Sequence, residues 1–148
     1  MADPFIVRRE VQIAAPQATI FAFLTDPEKI LRWMGTEATV EPHLDGLYLV
    51  NVTGQHIAQG RFTEVIPVHR LAYSFGWQGG HQRTPPESSL VEIDLIERDG
   101  GTLLRLTHSR LPDAEAAAAH EQGWMHYLAR LAVAAAGGDP GRDPNRKA

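Results

Sequence analysis

GRFTEVIPVHRLAYSF, residues 60–75, is two alternating runs on either side of Pro67. In the second run Leu71, Tyr73 and Phe75 recur at every other residue, the period of a strand with one buried face. The run predicts two antiparallel strands over 57–66 and 70–75, joined at a turn. Leu71, Tyr73 and Phe75 share the inward face opposite Ala72 and Ser74. Gly60 and Phe62 join them, Gly60 marking a bend or a close approach of another backbone.

Downstream, the polar loop WQGGHQRTPPES separates this pair from two more strands over 90–97 and 102–109. Asp99-Gly100-Gly101 between them is a hairpin signal, because glycine supplies positive φ without steric cost. Val91, Ile93 and Leu95 form one inward row, and Leu104, Leu106 and His108 another, so His108 is expected to point inside. Upstream, Tyr48, Val50 and Val52 place a strand over 47–53, preceded by a short one over 39–41. A first strand over 5–13 carries Phe5, Val7, Val11 and Ile13 on one parity. Between it and the later strands, Ala15-Pro16 and Asp26-Pro27 start two short helices. After Leu111-Pro112, Asp113 is a good N-cap for a long helix over 112–136. Ala117, Trp124, Leu128, Leu131 and Ala135 fall on its apolar stripe. The helix stops at Gly137-Gly138, and the breaker-rich segment 137–148 is read as a disordered tail. The fold class is therefore α+β: one domain over 1–136, a curved seven-stranded antiparallel sheet gripping the C-terminal helix, with two short helices after strand one. Strand one is expected to neighbour strands from both ends of the meander.

The 148 residues suffice for one domain that buries about two thirds of its unfolded surface, so no staple is required. Cysteine is absent, which removes thiol nucleophiles and Cys-type zinc sites. A net charge of -4 with both signs scattered argues against a nucleic-acid partner. MADPFIVRRE lacks the apolar core of an export signal and no run is long enough to span a membrane, so a cytoplasmic location is expected.

DPEKILRWM, Gly46 opening a strand, GRFTEVIP, RLAYSF, LLRLTHS and GWMHYLARL together resemble the activator of Hsp90 ATPase homologue 1-like family of the START-like, or SRPBCC, superfamily. The resemblance covers residues 5–136 and implies the helix-grip fold, also called Bet v 1-like, built around a cavity. Asp45-Gly46 departs from the Gly-Gly of many relatives, which bears on a turn and not on the fold. The family name also implies chaperone binding. A chaperone partner is not expected, because that name comes from a multidomain cochaperone and no second domain is visible here.

Parity nominates the cavity wall. Tyr48, Phe62, Tyr73, Phe75, Ile93 and Leu104 are the sheet candidates, with His108 among them. Trp33, His120, Trp124 and Leu128 are the helix candidates, and Trp33 with Met34 stands at a candidate entrance. An acid–base group would draw on His108, His120 and Glu121 as catalytic candidates. Each has an ordinary alternative: an inward histidine satisfied by a carbonyl or hydroxyl, a core tryptophan, a carboxylate that stays in water. His81 is alone in its loop, His43, His56 and His69 lack ligand spacing, and His120 and His126 are six apart on a helix, so no metal or cofactor is expected. The leading expectation is binding of a small hydrophobic, aromatic or lipid-like molecule in a cavity between sheet and helix. The alternatives are an enzyme of cyclase, dehydratase or hydrolase type, towards which the sequence does not lean, and a protein-interaction module. A homodimer stays open.

Overall fold

The computed structural model describes residues 5–146. In chain order the elements are β1 (Val7–Ile13), α1 (Gln17–Thr25), α2 (Pro27–Ile30), β2 (Glu37–Val40), β3 (Leu47–Asn51), β4 (Ile57–Ile66), β5 (Arg70–Phe75), β6 (Ser89–Arg98), β7 (Gly101–Ser109) and α3 (Ala114–Ala135). All seven strands join one antiparallel sheet in the order β1-β7-β6-β5-β4-β3-β2. β1 was expected to touch both ends of the meander. Among the described residues it pairs with β7 alone, and β1 and β2 are the two edges.

The inward parity rows hold. Leu71, Tyr73, Phe75, Val91, Ile93, Leu104, Leu106 and His108 are all buried. On the convex face the outward row is polar, where Arg70 reaches Glu64 at 2.7 Å, Glu92 at 2.6 Å and Asp94 at 3.0 Å. The sheet bends at Gly60. There the regular β4–β5 ladder gives way: the Arg61 N–H donates to the Ser74 hydroxyl at 2.9 Å, and the register shifts between Phe62 and Glu64. Asp45, the departure noted in the sequence, takes φ 63°, a left-handed turn conformation that Asp tolerates.

α3 is capped at its N-terminus by Asp113, which accepts from the Ala116 N–H at 2.8 Å. Its stripe of Trp124, Leu128 and Leu131 lies in the same core as the sheet's concave face, and the helix also packs along β1. Each fully buried apolar side chain of this size contributes about 1.5–3 kcal/mol. The segment read from sequence as a disordered tail folds back onto α3 through residue 146. Arg130 donates to the carbonyls of Pro140 at 3.2 Å and Gly141 at 2.9 Å. Asp143 is buried and takes hydrogen bonds from the Tyr127 hydroxyl at 2.7 Å and from His126 at 2.8 Å.

Candidate functional site

A cavity of about 440 Å³ opens beside the middle of α3. α3 forms one wall with Ala119, His120, Gln122, Gly123, Trp124 and Tyr127. The turn between β3 and β4 brings Val52, Thr53 and His56. The loop after β5 brings Trp77, His81 and Gln82, and Phe75 forms the back. Met34 and Asn145 complete the rim.

The loop owes its path to backbone that few residues adopt. Gly79 and Gly80 have φ of 78° and 71°, and the next two positive values, both 55°, fall on Gln82 and Arg83. Non-glycine residues in that region carry strain of about 1–3 kcal/mol each and persist only where neighbours hold them. Here the holders are visible. Arg83 makes a two-pronged bond to Asp113 at 2.6 and 2.8 Å, the Trp77 N–H donates to the Thr84 carbonyl at 2.7 Å, and Thr84 donates to the Gln82 carbonyl at 2.9 Å. Asp113 thus caps α3 and anchors the loop, and Arg83 holds its carboxyl well below the usual carboxylate range. His81 stacks on His56 with ring centres 3.9 Å apart. The Gln82 Oε1 is buried with no hydrogen-bond partner, an omission worth about 1–3 kcal/mol.

Two histidines, His120 in this wall and His108 behind it, are fully committed. The Trp124 indole N–H donates to His108 Nδ1 at 3.0 Å, so the proton of His108 sits on Nε2 and is given to Ser89 Oγ at 2.7 Å. Ser89 in turn donates to the Phe75 carbonyl at 2.7 Å. In the same way the Trp77 indole N–H donates to His120 Nε2 at 3.0 Å, and His120 Nδ1 donates to the Ala116 carbonyl at 2.7 Å. Both imidazoles are neutral, with the lone pair that would accept a proton already bound to an indole. Burial first, and then His120, holds His108 well below the ordinary histidine value. For His120 burial lowers the value, the Ala116 carbonyl opposes it, and His81 adds to it. The unfolded chain takes up protons below about pH 6.5; the folded one resists this at both sites. Stability should therefore be level above pH 7 and fall as pH drops below 6.5, because the unfolded chain takes up protons at these two sites more readily than the folded one. Urea midpoints between pH 8 and pH 5 check this, and a midpoint that rises on acidification would contradict it.

The sequence candidates separate on this geometry. Phe75, His120 and Trp124 line the cavity. Tyr48, Phe62, Tyr73, Ile93, Leu104, His108 and Leu128 do not; they are packed core, with Tyr48 and Tyr73 stacked at 4.2 Å. Burial pushes the Tyr48 phenol up to about 12, so it stays neutral. Trp33 is also core, its N–H donated to the Phe23 carbonyl at 2.9 Å, while its neighbour Met34 borders the cavity. Glu121 is a correction. One residue past the inward His120, it points away from the cavity and lies half exposed, 3.8 Å from Arg9. His108, His120 and Glu121 consequently form no proton-transfer group. Parity missed His56, Trp77, His81, Gln82 and His126, all of which border the cavity. An aromatic directly after Gly76, at the end of an inward row ending in Phe75, was the available signal for Trp77. No group of three metal-ligating side chains occurs among the described residues.

The family model described as activator of Hsp90 ATPase homolog 1-like protein matches residues 14–136. The chain belongs to that family. An AHSA1-like protein from Rhizobium etli, solved in solution by NMR, is 67% identical to this AHSA1-like chain, with a TM-score of 0.76 over 97% of this chain and 89% of that one. CalU16 from Micromonospora echinospora is 28% identical, with a TM-score of 0.65 over 85% of this chain and 71% of that one. The Aha1 dimer from Colwellia psychrerythraea shares the fold, with 16% identity and a TM-score of 0.78 over 90% of this chain and 97% of that one. No curated protein matches. The AHSA1-like fold here is the helix grip, a curved sheet closed on its C-terminal helix. Among the described residues no helix is long and apolar enough to cross a membrane.

Proposed function

We propose that this protein binds a small, mainly apolar molecule in the cavity beside α3 and carries out no acid–base chemistry on it. The observation that carries this reading is the wall itself. A half-open space of about 440 Å³, bordered by Phe75, Trp77, Trp124 and Met34 among others, falls within the size range of small-molecule sites. The two inward histidines, the natural proton carriers, each spend one ring nitrogen on a tryptophan of the wall and the other on Ser89 or the Ala116 carbonyl. A protein that fastens its aromatic wall this way is built to present a surface. The orphaned Gln82 acceptor supports the same reading, since a ligand's N–H or O–H could satisfy it after a small turn of the side chain. A chaperone is not the partner we propose, and the setting we propose is the cytoplasm.

Gly123 supplies the test. It lines the cavity, and a Cβ placed there would meet nothing within 4 Å. Gly123→Phe should fill the space without disturbing the core, and because glycine inside a helix costs roughly 0.5–1 kcal/mol against alanine, the thermal midpoint should hold or rise. The neutral dye N-phenyl-1-naphthylamine should bind the wild type in the micromolar range and the variant at least tenfold more weakly. Absence of binding to the wild type, or equal binding to a well-folded Gly123→Phe, would overturn the proposal. Native mass spectrometry of the freshly purified protein reads any retained ligand and the oligomeric state together.

A further inference from the structure

The cavity lining combines aromatic rings with polar groups of a definite chemical kind. Among its described lining residues there is no Asp, Glu, Lys or Arg. Several hydrogen-bonding side chains line it, and two of them, His56 and His81, stack where the β3–β4 turn meets the loop after β5. His56 is oriented from behind. Thr53 Oγ accepts from the backbone N–H of Gln55 at 3.3 Å and of His56 at 3.1 Å, and its hydroxyl reaches His56 Nδ1 at 3.2 Å. That leaves the His56 Nε2–H for something else, and the ring nitrogens of His81 have no protein partner among the described residues.

A wholly apolar ligand would expel water from these nitrogens and leave them unpaired, at a cost of about 1–3 kcal/mol each. A cationic ligand would find no carboxylate here. The titratable groups round the pair are the two rings themselves and His120, His126 and Tyr127 on α3. Arg83 is turned away onto Asp113 and Glu115, and the Asp143 carboxylate is held by His126 and Tyr127. Imidazole can only gain positive charge. Two rings at 3.9 Å oppose that gain unless an anion offsets it.

We propose that the ligand is an aromatic acid, its ring system against Trp77, Phe75 and Trp124 and its anionic oxygens on His56 and His81. This rests on the cavity being a ligand site, as argued above. Burial and then His56 lower the affinity of His81 for a proton in the empty site. An anion reverses the sign of that effect, so binding takes up a proton and strengthens as pH falls through the histidine range.

Two dyes isolate the charge. 8-Anilinonaphthalene-1-sulfonate is N-phenyl-1-naphthylamine with a sulfonate added, and the sulfonate stays ionised throughout. The ratio of their affinities, sulfonate over neutral, should rise at least fivefold between pH 8 and pH 6 in the wild type. In the His56→Gln/His81→Gln double variant it should stay within twofold over the same range, with a wild-type far-UV circular dichroism spectrum and thermal midpoint showing that the variant is folded. A flat ratio in the wild type, or an equal rise in the double variant, overturns the anionic assignment and leaves the cavity reading standing. Failure of the neutral dye to bind the wild type removes both.

Discussion

His108→Ala is expected to destabilise the protein by about 3–5 kcal/mol. A fully buried ring is removed, which leaves a cavity of the kind that large-to-small core changes create. The Trp124 indole N–H also loses its acceptor inside the core, and an orphaned buried donor costs about 1–3 kcal/mol. With a urea slope of about 2 kcal/mol per molar, the midpoint should fall by roughly 2 M. His108→Leu restores most of the volume but not the acceptor, and should recover about half of the loss. Glu121→Gln, at a half-exposed carboxylate paired loosely with Arg9, should stay within about 0.5 kcal/mol of wild type. If His108→Ala cost less than 1 kcal/mol, the chain from Trp124 to His108 to Ser89 would not be holding the wall of the cavity.

Gly60→Ala should be at least as damaging, although it adds a single methyl group. The added Cβ would overlap the carbonyl of Ser74, and relief could come only from moving backbone, because no flexible side chain is there to yield. β4 and β5 would have to part where the sheet bends and where Ser74 already substitutes its hydroxyl for a ladder bond. We expect a loss above about 3 kcal/mol, the range of strained or overpacked core sites, with much of the protein insoluble on expression. A soluble Gly60→Ala with a wild-type urea midpoint would mean that the two strands do not approach as described.

The close approach at Gly60 was readable in advance, and so was the inward face of each central strand, because a period of two leaves no freedom once one face is buried. Ser89 could have been read too: it continues the row of Val91 and Ile93 and pairs in register with Phe75, beside His108. The cavity could not. Whether a space between sheet and helix closes depends on the volumes of side chains meeting from distant elements, and here Tyr48, Phe62 and Tyr73 fill the centre and displace the opening towards the loops. His56 and His81 sit on non-repetitive backbone, where no period relates position to direction. Glu121 shows the converse limit. Helical spacing placed it beside the inward stripe with His120, but one step of about 100° turns His120 into the core and Glu121 towards β1. The C-terminal segment carries every compositional mark of a disordered tail, yet Asp143 finds Tyr127 and His126, and Arg130 finds two carbonyls. Composition does not record such partners.

The pairing of β1 with β7 has a consequence for synthesis. Val7 is made first, and its partner across the ladder, His108, follows roughly a hundred residues later. At about 5–20 residues per second, a ribosome leaves β1 without a neighbour for on the order of 5–20 seconds. The helix that covers the concave face is made later still. Until then the nascent chain holds an open strand edge and an uncovered apolar floor, the two features that invite pairing with other chains. The first strand of the sheet is among the last to be sheltered, so the interval before α3 is complete is when this fold is most exposed to misassembly.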